Sequence, residues 1–93
     1  MGKYFVDVSK EAKKHLAFHH KSGNKASVRK IEQIFRELSE TPYVGTGEPE
    51  LLKYNYAGHW SRRINQKDRI IYKVNEDVVT VTVISAKGHY SDK

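Results

Sequence analysis

Apolar and polar residues alternate at the start of the chain, where Tyr4, Val6 and Val8 face one way and Phe5 and Asp7 the other, which is the period of a strand. Ser9 then supplies a helix cap. The helix that follows is expected over Lys10 to His20, with Ala12, Leu16 and His19 inward and Gly23 as its C-terminal stop. Asn24 can cap a second helix, in which Val28, Ile31, Ile34, Phe35 and Leu38 recur at helical spacing while Arg29, Lys30, Glu32 and Arg36 stay outside. Thr41-Pro42 ends it, and Gly45, Gly47 and Pro49 mark an irregular connection. Strands are expected at Leu51 to Tyr54, His59 to Asn65, Arg69 to Asn75 and, after the polar turn Asn75-Glu76-Asp77, Val78 to Ala86. The order β-α-α-β-β-β-β describes a single α+β domain with two N-terminal helices packed on one face of a small, mainly antiparallel sheet. The other face is expected to be open.

Strand parity places two like charges together on that open face. Trp60, Arg62 and Ile64 share the core side of their strand, so Ser61, Arg63 and Asn65 point away from it. Ile70, Tyr72 and Val74 likewise send Arg69, Ile71 and Lys73 outward. A hairpin that keeps both apolar sets on one side has an odd loop, and its simplest register sets Arg63 opposite Arg69. Opposed like charges destabilise a sheet. A ligand that would resolve the conflict is an anion such as a phosphate, matched to two guanidiniums. Arg62, with core-side parity, suits a structural salt bridge instead.

Charge and composition narrow the partners. The 93 residues make one small domain with 17 Lys plus Arg against 11 Asp plus Glu, a net charge of +6 that favours polyanions such as RNA, the ribosome or an acidic protein. The absence of cysteine excludes disulfides, thiolate zinc sites and thiol catalysis, and is compatible with a reducing cytoplasm. No apolar run has signal-peptide or membrane-spanning length, so a soluble cytoplasmic protein is expected. His15 and His19 have the i, i+4 spacing of a helical metal pair but lack a third ligand, and no metal is expected. Gly45-Thr46-Gly47 lacks the fingerprints of a nucleotide loop and reads as a flexible hinge placing Glu50. The cations of Lys13-Lys14 and of the Lys25 to Lys30 stretch read as solvated helix faces.

The stretch Thr41-Pro42-Tyr43, Gly45-Thr46-Gly47-Glu48-Pro49-Glu50, Leu52-Lys53, Asn55, Gly58, Trp60-Ser61-Arg62-Arg63-Ile64, Arg69, Tyr72 and His89-Tyr90 resembles the YoeB/Txe family of toxins, in the RelE-like group of bacterial toxin–antitoxin systems. The chain departs from the usual pattern at Leu51, where a proline is common, at Tyr54, His59 and Gly88, and in the three residues after Tyr90. The resemblance implies a RelE-like fold and a ribosome-dependent endoribonuclease that cuts messenger RNA in the ribosomal A site. It also implies silencing by a cognate antitoxin of the YefM/Phd-like kind with an acidic segment, and is compatible with a homodimer.

Metal-free RNA cleavage requires a base for the ribose 2′-hydroxyl, cations for the phosphate oxygens and an acid for the leaving 5′-oxygen, with no cofactor. Glu50 is the candidate base and His89 the candidate acid. Arg63 and Arg69 would clamp the scissile phosphate, Lys53 would add a phosphate contact, and Tyr90 would stack on a base. By residue type alone, Glu50 also fits a solvated loop carboxylate, His89 a frayed tail, and the arginines and Lys53 ordinary surface charges. Two other functions use the same fold: a noncatalytic RNA- or ribosome-binding module, and an inhibitory interaction protein like the ParE branch. Both dispense with the Glu50 and His89 pair.

Overall fold

The computed structural model describes residues 3–88. Strand β1 (Phe5–Val8) leads into helices α1 (Lys10–Ser22) and α2 (Lys25–Leu38), then β2 (Glu50–Leu51), a 3-10 turn at Tyr54–Tyr56, β3 (Trp60–Arg63), β4 (Arg69–Asn75) and β5 (Thr80–Ser85). The caps are those the sequence indicates. Ser9 Oγ accepts from the Ala12 N–H and Asn24 Oδ1 from the Ser27 N–H, each at 3.1 Å, while Gly23 closes α1 in the left-handed conformation with φ 78°.

The five strands form one sheet in the order β1-β5-β4-β3-β2. The helices send the chain back so that β1 lies parallel to β5, and the remaining pairs are antiparallel. Ala12, Ile31, Ile34 and Leu38 from the helices are buried with Ile64, Ile70, Tyr72, Val81 and Val83 in one core. The inward face of α2 is turned slightly from its expected setting. Ser27 is buried at its first turn and Val28 only half-buried, because Ser27 Oγ accepts from Asn65 Nδ2 at 2.9 Å on the β3–β4 loop.

Three expectations need correction. The strand over Leu51 to Tyr54 is only the two residues Glu50–Leu51, because Tyr54 takes a positive φ of 54° and opens the 3-10 turn. The outer face is not open throughout. Ser61 and Ile71, paired across β3 and β4, both have zero exposure and seal its middle. The Gly45-Thr46-Gly47 connection is held rather than free to hinge. The Thr46 N–H donates to Glu37 at 2.7 Å and the Arg63 N–H to the Gly47 carbonyl at 2.6 Å. Its glycines serve close approach: a Cβ on Gly45 would lie 2.2 Å from Glu37 Oε1, and one on Gly47 2.9 Å from the Arg63 carbonyl oxygen.

Arg62 is the post around which this connection winds. Its guanidinium is fully buried, donating to Glu37 Oε1 at 2.7 Å, to the Thr41 and Val44 carbonyls at 2.6 and 2.9 Å, and to the Tyr72 hydroxyl at 3.1 Å. Burial alone would raise the Glu37 carboxyl, but hydrogen bonds from Gln33, from both the side chain and backbone of Thr46, and from Arg62 outweigh it and pull the carboxyl down to about 2. Tyr43, on the same connection, packs on Trp60 with ring centroids 5.2 Å apart and donates to Glu76, which also accepts from Tyr4. That bond to Glu76, followed by burial, pushes the Tyr43 hydroxyl up to about 12.

Candidate active site

The sheet register assembles the site row by row. Glu50 on β2 pairs with Ser61 on β3, Ser61 with Ile71 on β4, and in the next row Arg63 pairs with Arg69. The expected opposition of the two arginines is therefore the observed register. Directly paired residues project from the same side of a sheet, and residues two apart on one strand do as well. Glu50, Ser61, Arg63 and Arg69 consequently occupy one patch on the face away from the helices.

Each arginine has a carboxylate beside it. Arg69 Nη1 lies 3.8 Å from Glu50 Oε1 and Arg63 Nη2 lies 3.8 Å from Glu48 Oε1. The protein's own acids thus offset part of the like-charge conflict that the sequence sets up, which the sequence alone leaves to a ligand. The two cations differ in setting, since the Arg69 side chain is 16% exposed and that of Arg63 48%. At 3.8 Å neither pair is a close bidentate bridge, so an entering anion can take over both guanidiniums.

The β3–β4 loop holds the arginines in register. Asn65 Oδ1 accepts the N–H groups of Lys67 and Asp68, both at 2.8 Å, and the Ile64 N–H donates to the Asp68 carbonyl at 3.0 Å. Asp68 is buried and accepts the Gly88 N–H at 2.8 Å, while the Gly88 carbonyl accepts from the Arg69 N–H at 3.2 Å. The described chain therefore ends against the first residue of β4. His89 and Tyr90 lie outside the described residues. Lys53 is exposed just beyond β2, at the entry to the 3-10 turn.

Ser61 and Glu48 escaped the sequence reading, although parity already put Ser61 on the face of Arg63 and Glu48 stands two residues before Glu50. Ser61 Oγ is buried and makes no hydrogen bond among the described residues. A buried hydroxyl in that condition costs about 1–3 kcal/mol.

The two helical histidines are engaged elsewhere. His15 Nδ1 accepts the Ala86 N–H at 3.1 Å and His19 Nε2 donates to the Ala86 carbonyl at 2.7 Å, fastening α1 to the end of β5. Among the described residues no cluster of three or more His, Asp or Glu side chains is arranged to hold a metal ion. Nor, among them, is any helix long and apolar enough to cross a membrane.

A two-helix, five-strand α+β domain with an acid and two paired arginines on the side of its sheet away from the helices defines a small basic protein of the RelE-like toxin class. Residues 9–90 match the family model described as the YoeB-like toxin of bacterial type II toxin-antitoxin system, and the chain belongs to that family. It is 39% identical over 67 residues to Toxin YoeB of Escherichia coli O6:H1, an alignment covering 72% of this chain and 77% of that protein. The YoeB/ParE toxin from Agrobacterium tumefaciens superposes with a TM-score of 0.83 at 31% identity, over 92% of this chain and 99% of the other. Two Staphylococcus aureus structures are similar as well. One is a YoeB dimer, with a TM-score of 0.78 at 29% identity over 95% of this chain and 99% of the other. The second is a heterotetrameric YoeB-YefM toxin-antitoxin complex, with a TM-score of 0.75 at 30% identity over 94% and 98%.

Proposed function

We propose that this toxin is a ribosome-dependent endoribonuclease that cuts messenger RNA in the ribosomal A site by metal-independent acid–base chemistry. The observation that carries the reading is the convergence of Glu50, Arg63 and Arg69 on one sheet face, with the two arginines in register. In this mechanism the scissile phosphate displaces the Glu48 and Glu50 carboxylates from Arg63 and Arg69, and the guanidiniums take its nonbridging oxygens. Glu50, freed from Arg69, accepts the proton of the neighbouring 2′-hydroxyl. The 2′-oxygen attacks phosphorus, the bond to the 5′-oxygen breaks, and His89 protonates that leaving oxygen, yielding a 2′,3′-cyclic phosphate and a 5′-hydroxyl. Lys53 contacts a phosphate, and Tyr90 stacks on a base beside the cut.

A single carboxylate base and a single histidine acid supply little orientation for a flexible RNA strand, and a ribosome holding the message supplies it. The reading extends to partners. The YefM seen with the Staphylococcus aureus toxin supports a cognate YefM-like antitoxin for this chain, with an acidic segment against the basic sheet face, and the YoeB dimer supports self-association.

The test compares purified protein on programmed ribosomes and on the same message naked, with chelator present throughout. Cleavage far faster on the ribosome, and lost in Glu50→Gln, is the expected result. Equal rates on both substrates contradict ribosome dependence, and abolition by chelator contradicts the metal-free route. Undiminished growth inhibition by Glu50→Gln would point instead to a noncatalytic binding module or to ParE-like inhibition.

A further inference from the structure

Ser61 occupies the centre of the candidate site yet forms no bond in it. Its Cα partners are Glu50 on one side and Ile71 on the other, and Arg63 follows two residues later on the same face. The residue has zero exposure, and its hydroxyl is without a hydrogen-bond partner among the described residues. Alanine would pack in the same space with no unpaired group, so the fold gains nothing from the hydroxyl. Across an antiparallel pair, opposite Cβ atoms stand about 5 Å apart, which puts a glutamate carboxylate within reach of a serine hydroxyl facing it. The carboxylate on that row is Glu50.

We propose that Ser61 is a positioning residue for Glu50, donating its hydroxyl proton to the carboxylate in the substrate-bound state. The inference rests on the reading of Glu50 as the base. Without substrate, Glu50 has Arg69 beside it at 3.8 Å. When phosphate claims Arg69, the carboxylate loses that cation at the step where it must stay ionised and aimed. The Ser61 hydroxyl then bonds one carboxylate oxygen, leaving the other directed at the ribose 2′-hydroxyl. A donor to the ionised form lowers the pKa of an acid. The charged or titratable groups around Glu50 are Arg69 on β4, Arg63 on β3, Glu48 in the preceding connection and Lys53 beyond β2, with His59 and Lys73 further along the same face. None of them shares its row with Glu50 as Ser61 does.

The experiment measures single-turnover cleavage on programmed ribosomes against pH, together with melting temperature, for wild type, Ser61→Ala, Glu50→Gln and the double variant. Ser61→Ala is expected to melt at or above the wild-type temperature and to cleave about tenfold more slowly at neutral pH, the range for loss of a hydrogen bond to a charged group. The acid limb of its pH–rate profile should move up by about one unit. In the Glu50→Gln background the added Ser61→Ala change should alter the residual rate by less than about twofold. Wild-type rate and profile in Ser61→Ala would overturn the proposal. So would a lowered melting temperature with an unmoved profile, or an equal loss in both backgrounds. Failure of the broader reading is distinguishable, because it leaves Glu50→Gln as active as wild type whatever Ser61→Ala does, and the proposal falls with it.

Discussion

Acid should destabilise this protein through Glu37. The Glu37 carboxyl titrates at about 2 in the fold against 4.5 for the free group. A folded value below the unfolded one contributes stability that is complete above about 4.5 and is lost as pH falls through about 2. The difference of these two values, at about 1.4 kcal/mol per unit, amounts to about 3 kcal/mol. The side chain is 19% exposed and Arg62, its partner, is fully buried, so solvent screens this interaction little. The perturbation is Glu37→Gln, which keeps one acceptor oxygen but leaves the Arg62 charge without a counter-charge, and at neutral pH it should cost about 3 kcal/mol. For a domain of this size that lowers the melting temperature by about 15 °C. Urea unfolding of both proteins from pH 7 to pH 2 gives the assay, with the difference between them isolating Glu37 from the other carboxylates. That difference should be constant down to about pH 4.5 and then shrink toward pH 2, as Glu37 of the unfolded wild-type chain takes up a proton that the folded protein does not. A difference that does not change with pH would show that the charge of Glu37 contributes nothing, and would refute the account of the Arg62 post.

Arg63→Ala and Arg69→Ala should each cut messenger-RNA cleavage at least a hundredfold on programmed ribosomes while holding the melting temperature or raising it slightly, since each relieves the like-charge opposition and gives up only a loose ion pair worth about 0–1 kcal/mol. A marked fall in melting temperature would make that arginine structural. Gly47→Ala should destabilise by about 2 kcal/mol in chemical denaturation, because its φ is 90° and the new Cβ would press on the β3 backbone 2.9 Å away. A neutral effect would mean that the connection is not held against β3. Asp68→Ala should speed hydrogen exchange at the Gly88 amide and slow cleavage, since the bond between them fixes the course of the chain after β5.

The helices, their caps and the register of the central hairpin could all be read from the chain because each depends on local chemistry. Ser9 and Asn24 each satisfy a backbone N–H three residues on, Gly23 supplies the left-handed stop, and the parity of Trp60 to Ile64 follows from period two alone. The edges of the sheet were less accessible. Leu51 to Tyr54 has strand-like composition, but the left-handed turn at Tyr54 is dictated by how the chain must rejoin β3 through Gly58. Burial of the outer face at Ser61 and Ile71 likewise is not encoded in the pattern of either strand. At the site, Glu50, Arg63 and Arg69 were identifiable by residue type and motif. Glu48 beside Arg63, and the unpaired Ser61 hydroxyl, emerged only when the connection and the strands were set in three dimensions.

The position of β5 has a consequence for how the protein comes into being. It is the last of the described strands to be made, yet it lies inside the sheet, between β1 and β4, joining Phe5 with Thr80 and Tyr72 with Val83. Until residues through Ser85 have been synthesised, β1 has no neighbour and the core lacks Val81 and Val83. Closing a loop of that length before any strand contact rewards it makes this a late and slow event in folding. Glu50, Arg63 and Arg69 all precede β5 in the chain, so the site residues emerge early from a growing polypeptide but acquire a rigid platform only at the end. On the function proposed above, a growing chain therefore lacks an assembled site until β5 is in place.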